Sequence, residues 1–470
     1  MELSFKSDSI QPLCQKLSSS SSGRVLIIKG PAGTGKTTLI KKLIDWVDEE
    51  EIGTPYLLAT TGRAAKILRD KTGNKTETLH HKIYTFSDLE GEDDSFELKN
   101  GDELPDKDIK LIFQLKESGS DGENPIYFVD ESSMISDTES VNEVSFANFG
   151  SGKVLSDFME YASDSKIVFV GDEFQLPPVN DSAFSPALNA DYLQENFNTD
   201  VDVIHLNQIH RFAMDGFIYF FSELFRNRIK DKDFSNSSKP TNSEDIRLYS
   251  SFKPFFNAYY DLIKDGDFSR ATYICPSNKI VGGLNRMVRD QMFPGCPKIQ
   301  VGDLLLVTQN SPVFGFYNGD LLTVKKIGPS RIEAGLTMLS VKVEEIVSKE
   351  VSEVILIEEL LYGNLGNLDK MQYQRLMIAF RYRMKAKGLK PRTAEYNKAM
   401  LEDHFLNALR VKFGYALTCH KAQGGEWPDV FIRTANFIDS WPHPKGEKWK
   451  YTAITRASER IHLIKGSLSF

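Results

Sequence analysis

Apolar and polar residues run along this chain in blocks of two kinds. Val25-Leu26-Ile27-Ile28, Tyr56-Leu57-Leu58-Ala59, Ile126-Tyr127-Phe128-Val129 and Ile167-Val168-Phe169-Val170 are short continuous apolar runs, each followed within two residues by glycine, threonine or aspartate. Runs without polar alternation suit strands buried on both faces, as in parallel sheets covered by helices. Between them lie helical patterns, Thr38-Leu39-Ile40-Lys41-Lys42-Leu43-Ile44 and the stretch opened by Thr61-Gly62-Arg63-Ala64-Ala65-Lys66. The pattern predicts a first α/β lobe that ends near Leu206 to Phe212. A second lobe begins with the strand Ala271 to Cys275 and a helix carrying Asn285, Arg286 and Arg289, and closes with strands Val430 to Arg433 and Arg460 to Ile464. Inside it, Val301 to Thr308, Asn318 to Val324, Val341 to Val343 and Val354 to Ile357 read as short strands around turn residues, the pattern of a small inserted β-barrel.

Composition narrows the class. A chain of 470 residues, 41% hydrophobic and 26% charged, is globular and long enough for roughly three domains. No apolar run approaches a membrane span and Met1-Glu2-Leu3-Ser4 opens no secretory signal, so the expected compartment is the cytoplasm. Cys14, Cys275, Cys296 and Cys419 are scattered, without zinc or disulfide spacing, and read as reduced thiols. A formal net charge of −8 gives no general attraction to nucleic acid, so such binding would need a local basic surface. At the N-terminus, Asp8 to Leu17 reads as a short helix and Ser18 to Ser22 as a flexible connector. Gln11 or Gln15 could read an adenine edge or simply face solvent.

The chemistry concentrates at the ends of the apolar runs. Gly30-Pro31-Ala32-Gly33-Thr34-Gly35-Lys36-Thr37 stands between a strand and a helix, the order a phosphate-binding loop requires. Its glycines let successive backbone N–H groups turn around phosphate oxygens, and the helix adds its positive end. Lys36 is the candidate for the β and γ phosphates and Thr37 for a Mg²⁺ ion, with Thr38 completing the nucleotide-binding set. Asp130-Glu131 ends the third run, where the aspartate would hold Mg²⁺ and the glutamate would position and deprotonate a water. Gln175, in Gly171-Asp172-Glu173-Phe174-Gln175-Leu176-Pro177-Pro178, leaves the carboxyl end of the fourth run, where open α/β sheets bind ligands, and could sense the γ phosphate.

Two charged stretches flank this set. Glu90 to Asp108 holds nine acids and only two lysines, a solvated loop or hairpin tip. Lys370 to Lys398 is helical and basic, with Arg375, Arg381, Arg383, Lys385, Lys387, Lys390 and Arg392 among Tyr373, Phe380, Tyr382 and Tyr396. Basic groups interleaved with rings suit a single-strand contact surface. A solvated helix face over buried aromatics has the same letters.

Taken together, the phosphate loop, the Asp-Glu pair, Gly-Asp-x-x-Gln-Leu-Pro-Pro, His420-Lys421-Ala422-Gln423-Gly424-x-Glu426 and Thr452-Ala453-x-Thr455-Arg456 resemble, in order, the superfamily 1 helicases of the RecD-like and Dda-like branch. The resemblance implies an α/β fold of two RecA-like lobes with ATP in the cleft, an SH3-like β insertion and a helical insertion. It implies that Arg211 and Arg456 reach the γ phosphate as arginine fingers, a contribution of roughly 10³ to 10⁵ in rate. By the same resemblance Gln175 is the coupling glutamine and Glu426 accepts from the ribose. Thr61, Arg63, His80, Thr418 and His420 fall in blocks that line the nucleic-acid track; each also reads as a helix cap or a satisfied interior polar group. Arg456 reads as lying at a helix start. The family carries a strand-separating pin between Lys82 and Pro125; that segment is acidic here, which leaves Tyr84 or Phe86 as the wedge ring.

The resulting expectation is an ATP-dependent helicase that moves 5′ to 3′ on single-stranded DNA and opens duplex junctions. It would act as a monomer, with replication or repair proteins as further partners and no membrane. The alternatives are an RNA helicase and a nucleotide-regulated binding protein without unwinding. Expected boundaries are 1–213 for lobe 1, with 82–125 as the pin-like insertion; 214–300 and 406–470 for lobe 2; 301–362 for the β insertion; and 363–405 for the basic helices.

Overall fold

The computed structural model describes residues 7–18, 24–90, 110–139, 147–179, 184–207, 216–234, 239–363, 366–434, 438 and 441–466. Its first half contains strands β1 (Arg24–Lys29), β2 (Thr54–Ala59), β3 (Thr76–Thr78), β4 (Tyr84–Glu90), β5 (Lys110–Leu115), β6 (Pro125–Asp130), β7 (Ala147–Phe149), β8 (Lys166–Gly171) and β9 (Asp200–His205). Six of them form one parallel sheet in the order β3-β2-β6-β8-β1-β9. Alternate residues of a strand point to opposite faces, which explains the unbroken apolar runs. Val25 and Ile27 of β1 join Tyr127, Phe158 and Phe169 on one face. Leu26 and Ile28 join Leu39, Ile40 and Leu43 of the helix Lys36–Glu49 on the other. With β8 and β9 hydrogen-bonded on either side of it, β1 delivers the phosphate loop from inside the sheet.

The second half begins with β10 (Ile246–Tyr249), β11 (Ala271–Cys275), β12 (Leu304–Val307), β13 (Leu321–Glu333), β14 (Leu336–Glu345) and β15 (Val351–Ile357). It ends with β16 (Val411–Phe413), β17 (Ala416–Thr418), β18 (Trp427–Ile432) and β19 (Ala457–Ile464). A second parallel sheet has the order β10-β19-β18-β11-β17. Between β11 and β17 the chain builds an antiparallel five-stranded sheet, β15-β14-β13-β12-β16. Two register shifts bend β13, and a bridge from Leu356 to Leu409, just ahead of β16, brings the two edges of the sheet together.

Two helices, Lys370–Ala386 and Ala394–Glu402, interrupt this insertion. The first opens with a reciprocal capping box between Asp369 and Gln372. Tyr373, Phe380 and Tyr396 are buried with Leu376, Met377 and Met384, while Tyr382 is exposed. Arg383 is bound to Glu333 and, at 2.7 Å, to Asp403. Most of the rings in this basic stretch are therefore interior packing, and one of its arginines is spent on carboxylates.

The hairpin strands β4 and β5 pair antiparallel, with β7 parallel to β5. Of the acidic stretch, residues 91–108 lie outside the described residues. Tyr84 corrects one expectation. It is 5% exposed and donates its hydroxyl to Asp157 at 2.6 Å, so it is a core residue and no wedge. Phe86 lies edge-on to Phe113 and packs against the helical insertion.

The insertion also docks on the first lobe. The ring of Tyr317 lies over Gly62, where a Cβ would stand 2.0 Å from Cβ of Tyr317. Buried Lys66 pairs with Glu345 at 3.3 Å. Because that contact has no room for a methyl group, Gly62→Ala is expected to destabilise the protein by about 1–3 kcal/mol, read as a lower urea midpoint. Adding Tyr317→Gly, which removes the clashing Cβ, should recover part of the loss; a wild-type midpoint for Gly62→Ala would mean that the docking contact is not maintained in solution.

Candidate nucleotide site and the seam between the lobes

Gly33 and Gly35 adopt φ values of 85° and 80°, a left-handed region open to glycine at no steric cost. Gly30 is confined differently: a Cβ there would lie 2.6 Å from the Thr34 hydroxyl. The Thr34 hydroxyl donates to the Pro31 carbonyl at 3.0 Å, and the Lys36 ammonium donates to the carbonyls of Gly30 and Pro31 at 2.8 and 2.9 Å. The loop is thus held open by its own carbonyls, with the lysine folded over it. Such a cradle of backbone N–H groups with one point charge fits a polyphosphate.

Beside it β6 ends in the acidic pair. Burial pushes the Asp130 carboxyl up to about 7, and neighbouring Glu131 adds to the effect; the Glu131 N–H at 2.8 Å, Lys36 and Lys71 oppose it. Glu131 takes φ 54°, a left-handed conformation that costs a non-glycine residue about 1–2 kcal/mol. Strain of that kind collects at functional sites. Among the described residues no three His, Cys, Asp or Glu side chains cluster as a metal site. A Mg²⁺ ion that borrows substrate phosphates needs only one or two carboxylates, so Asp130 with the Thr37 hydroxyl is a sufficient donor set.

The loop after β8 meets the second lobe. Asp172 accepts from the Phe174 N–H at 3.1 Å and from the Gln175 side-chain amide at 3.4 Å. Gln175 is buried, and its Oε1 has no hydrogen-bond partner among the described residues. Three side chains of the helix Lys445–Ile454 reach this loop. Lys448 donates to the Glu173 carbonyl at 2.7 Å, Tyr451 donates to the Asp172 carboxylate at 2.7 Å, and Thr452 accepts from the Leu176 N–H at 2.9 Å. Gln423 adds a bond to the Leu176 carbonyl at 3.1 Å. The Tyr451 hydroxyl also accepts from the Ala32 N–H of the phosphate loop at 3.3 Å. Burial, more than the nearby carboxylates of Asp172 and Glu173, sets the Lys448 ammonium, which comes down to about 8.

The other expected residues fall into three groups. Arg456 lies past the end of its helix, directly before β19, and not at a helix start. It is buried, its guanidinium held by the Thr452 and Gly425 carbonyls at 3.1 and 3.2 Å and by the Thr455 hydroxyl at 3.2 Å. Arg211 lies outside the described residues, as does Gln11's side chain. Glu426 is exposed at the turn before β18.

Of the track residues, His80 and His420 line one cleft of about 580 Å³ with Thr60, Pro177 and Pro178, so both lobes contribute to it. Burial lowers the pKa of each imidazole. Thr61 caps the helix Gly62–Thr72 by accepting from the Ala64 N–H at 3.2 Å, and Thr418 ends β17 at the head of the segment that carries His420. Arg63 is elsewhere: it is buried over the Trp427 ring, 5.0 Å from its centroid, and donates to the Gly319 carbonyl at 3.3 Å. Burial lowers its pKa, against Asp320 and Glu345, while Arg456 pushes the same way. Sequence reasoning missed Lys448, Tyr451 and Thr452 as bridging residues. Their one signal was the i, i+3, i+4 spacing that puts all three on one helix face.

Residues 12–233 match the AAA domain family, and residues 413–464 match the UvrD-like helicase C-terminal domain family. The first match covers every strand of the first parallel sheet, and the second covers β17, β18 and β19 of the second. An uncharacterized protein of Methanocaldococcus jannaschii, MJ1519, is 24% identical over 483 residues, which is 94% of this chain and 36% of the relative. The chain thus spans about a third of that relative's length. An uncharacterized mimivirus protein, R530 of Acanthamoeba polyphaga mimivirus, is 22% identical over 510 residues, 93% of this chain and 94% of its own. Solved Pif1 helicases from Bacteroides and Candida albicans superpose with TM-scores of 0.48 and 0.44, both at 16% identity, over 100% and 98% of this chain and 93% and 94% of theirs. Among the described residues, no helix is long and apolar enough to cross a membrane.

The loop geometry makes Lys36 the test of nucleotide binding. A hydrogen bond to a charged group contributes about 1.5–3 kcal/mol, so Lys36→Ala is expected to weaken binding of a fluorescent ATP analogue by about 10- to 100-fold without moving the unfolding midpoint. Undiminished binding would show that the nucleotide sits elsewhere.

Proposed function

We propose that this chain is an ATP-hydrolysing DNA helicase that translocates on single-stranded DNA, 5′ to 3′, and opens duplex junctions. The observation that carries the reading is the position of the phosphate loop. It lies against the second lobe, whose Tyr451 hydroxyl is bonded at once to the Ala32 N–H and to Asp172. A nucleotide entering that loop acts on both lobes, which is what a motor needs.

In this reading the motor lobes are residues 1–213 and 214–300 with 406–470, carrying the insertions 82–125, 301–362 and 363–405. Gly30 to Thr38 hold the triphosphate, Lys36 lies on its β and γ oxygens, and Glu426 accepts from the ribose. Thr37 and Asp130 hold Mg²⁺, which supplies neutralisation of the charge on the transferred phosphoryl group. Glu131 orients a water and takes its proton, while Gln175 reports the γ phosphate to the loop that ends at Pro178. Arg456 and Arg211 bring positive charge from beyond the seam. For Arg456 this requires exchange of its carbonyl partners for phosphate oxygens.

The cleft shared by His80, His420, Thr60 and the Pro177-Pro178 turn is where single-stranded DNA would pass, with Thr61 and Thr418 at the ends of the elements that shape it. Neutral imidazoles there can donate to or accept from phosphate and base without attracting further anions. Arg63 acts differently in this scheme: buried between lobe and insertion, it fixes the neighbouring track. Closure on ATP and reopening after hydrolysis move the two grips relative to each other, and direction follows if they weaken at different points of the cycle.

Two measurements bear on this. Removing a general base costs about 10² to 10⁴ in rate, so Glu131→Gln should lose DNA-stimulated hydrolysis by that factor while still binding ATP. Duplexes bearing only a 5′ tail should be unwound and those bearing only a 3′ tail should not. Opening of the 3′-tailed substrate alone would overturn the polarity, and stimulation by RNA but not by DNA oligomers would change the track.

A further inference from the structure

Resting on the ATPase reading above, we propose that Tyr451 is a positioning residue that connects the phosphate loop to Gln175 through a single buried hydroxyl. A tyrosine hydroxyl has one proton to donate and lone pairs to accept. Here the proton goes to Asp172 at 2.7 Å and a lone pair takes the Ala32 N–H at 3.3 Å. Asp172 in turn accepts from the Gln175 amide at 3.4 Å. The result is a continuous path, Ala32 N–H to Tyr451 to Asp172 to Gln175. It starts in the loop that binds phosphate, passes through the second lobe, and returns to the first at a glutamine whose Oε1 has no partner among the described residues.

Each member is buried, with Tyr451, Asp172 and Gln175 at 0%, 1% and 2% exposure. A buried group left unpaired is costly. Burial first, and then the Asp172 carboxylate, hold the phenol protonated well above its ordinary range, so it remains a donor at any working pH. Phosphate oxygens entering the loop compete with the tyrosine for the Ala32 N–H. When they win, the tyrosine oxygen is released from lobe 1's loop but keeps its proton on Asp172, and Gln175 moves relative to the phosphate. The neighbouring bonds of Lys448 to the Glu173 carbonyl and of Thr452 to the Leu176 N–H hold the loop in register without being on the path.

Tyr451→Phe keeps the ring and removes only the hydroxyl. The inference expects the single-strand-stimulated kcat to fall by about 10- to 100-fold, the value of one hydrogen bond to a charged group. KM for ATP and binding of a fluorescent ATP analogue should be no weaker, since the competitor for Ala32 is gone. Asp172→Asn should show the same kcat loss, and the double variant should be no worse than the poorer single one. Arg289→Met, which breaks a buried ion pair with Asp303, should lower the unfolding midpoint without that kcat loss. An unchanged kcat in Tyr451→Phe, additive losses in the double variant, or equal kcat losses in Tyr451→Phe and Arg289→Met would each overturn the inference. If Tyr451→Phe does not fold, Asp172→Asn alone decides: a wild-type kcat overturns the path. An inactive wild-type protein, by contrast, would refute the ATPase reading itself.

Discussion

A pair of carboxyl-terminal strand ends, one from β6 and one from β8, and a glycine loop from β1 place four kinds of charged or polar groups in one buried region. The Asp172 carboxylate and the Glu173 carbonyl there are paired, while the Gln175 Oε1 has no partner among the described residues. Desolvating a polar group without a partner costs a few kcal/mol, and the first lobe alone does not supply enough donors. The second lobe makes up the difference through one turn of the helix Lys445–Ile454, whose Lys448, Tyr451 and Thr452 meet Glu173, Asp172 and Leu176. Hydrogen bonding across the seam is therefore the constraint on which the nucleotide site depends.

A second bridge joins the lobes on the other side of the helix Gly62–Thr72. Lys66 with Glu345, Arg63 with the Gly319 carbonyl, and the Tyr317 ring on Gly62 tie the first lobe to the antiparallel insertion. The Asp320 carboxyl near them is pushed up to about 6, burial being the main cause and the Tyr317 N–H and Lys66 opposing it. Buried charges of this kind do little for net stability against apolar replacements, but breaking one partner away from the other is expensive. With one bridge at the nucleotide and another at the insertion, the cleft lined by His80 and His420 lies in a body gripped at two places.

Much of the fold was legible because its signals are local. Continuous apolar runs revealed parallel strands, since Val25 to Ile28 of β1 and Ile167 to Val170 of β8 are all buried on one face or the other. The shape of the loop Gly30 to Thr37 was legible for the same reason, since it is set by glycines within eight residues. Asp130 and Glu131, adjacent at a strand end, needed no knowledge of the distant chain. The basic stretch Lys370 to Lys398 shows the limit. Its letters fit a nucleic-acid surface and a packed helix equally, and only burial of Tyr373, Phe380 and Tyr396 under β14 residues Leu336 and Met338 separates them. Tyr84 fails as a wedge for a related reason, because its partner Asp157 is 73 positions away.

What the sequence determined by itself was which residues stand at each strand end and the α/β class of both lobes. The tertiary structure decided which of those groups share a site. Ala32 and Tyr451 are 419 positions apart, Asp172 and Tyr451 279, and Arg63 and Gly319 256. Side-chain periodicity extends over a helical turn or a strand and carries no information at such separations. Contacts of that range exist only once two sheets, each complete in itself, have buried their remaining polar groups against each other.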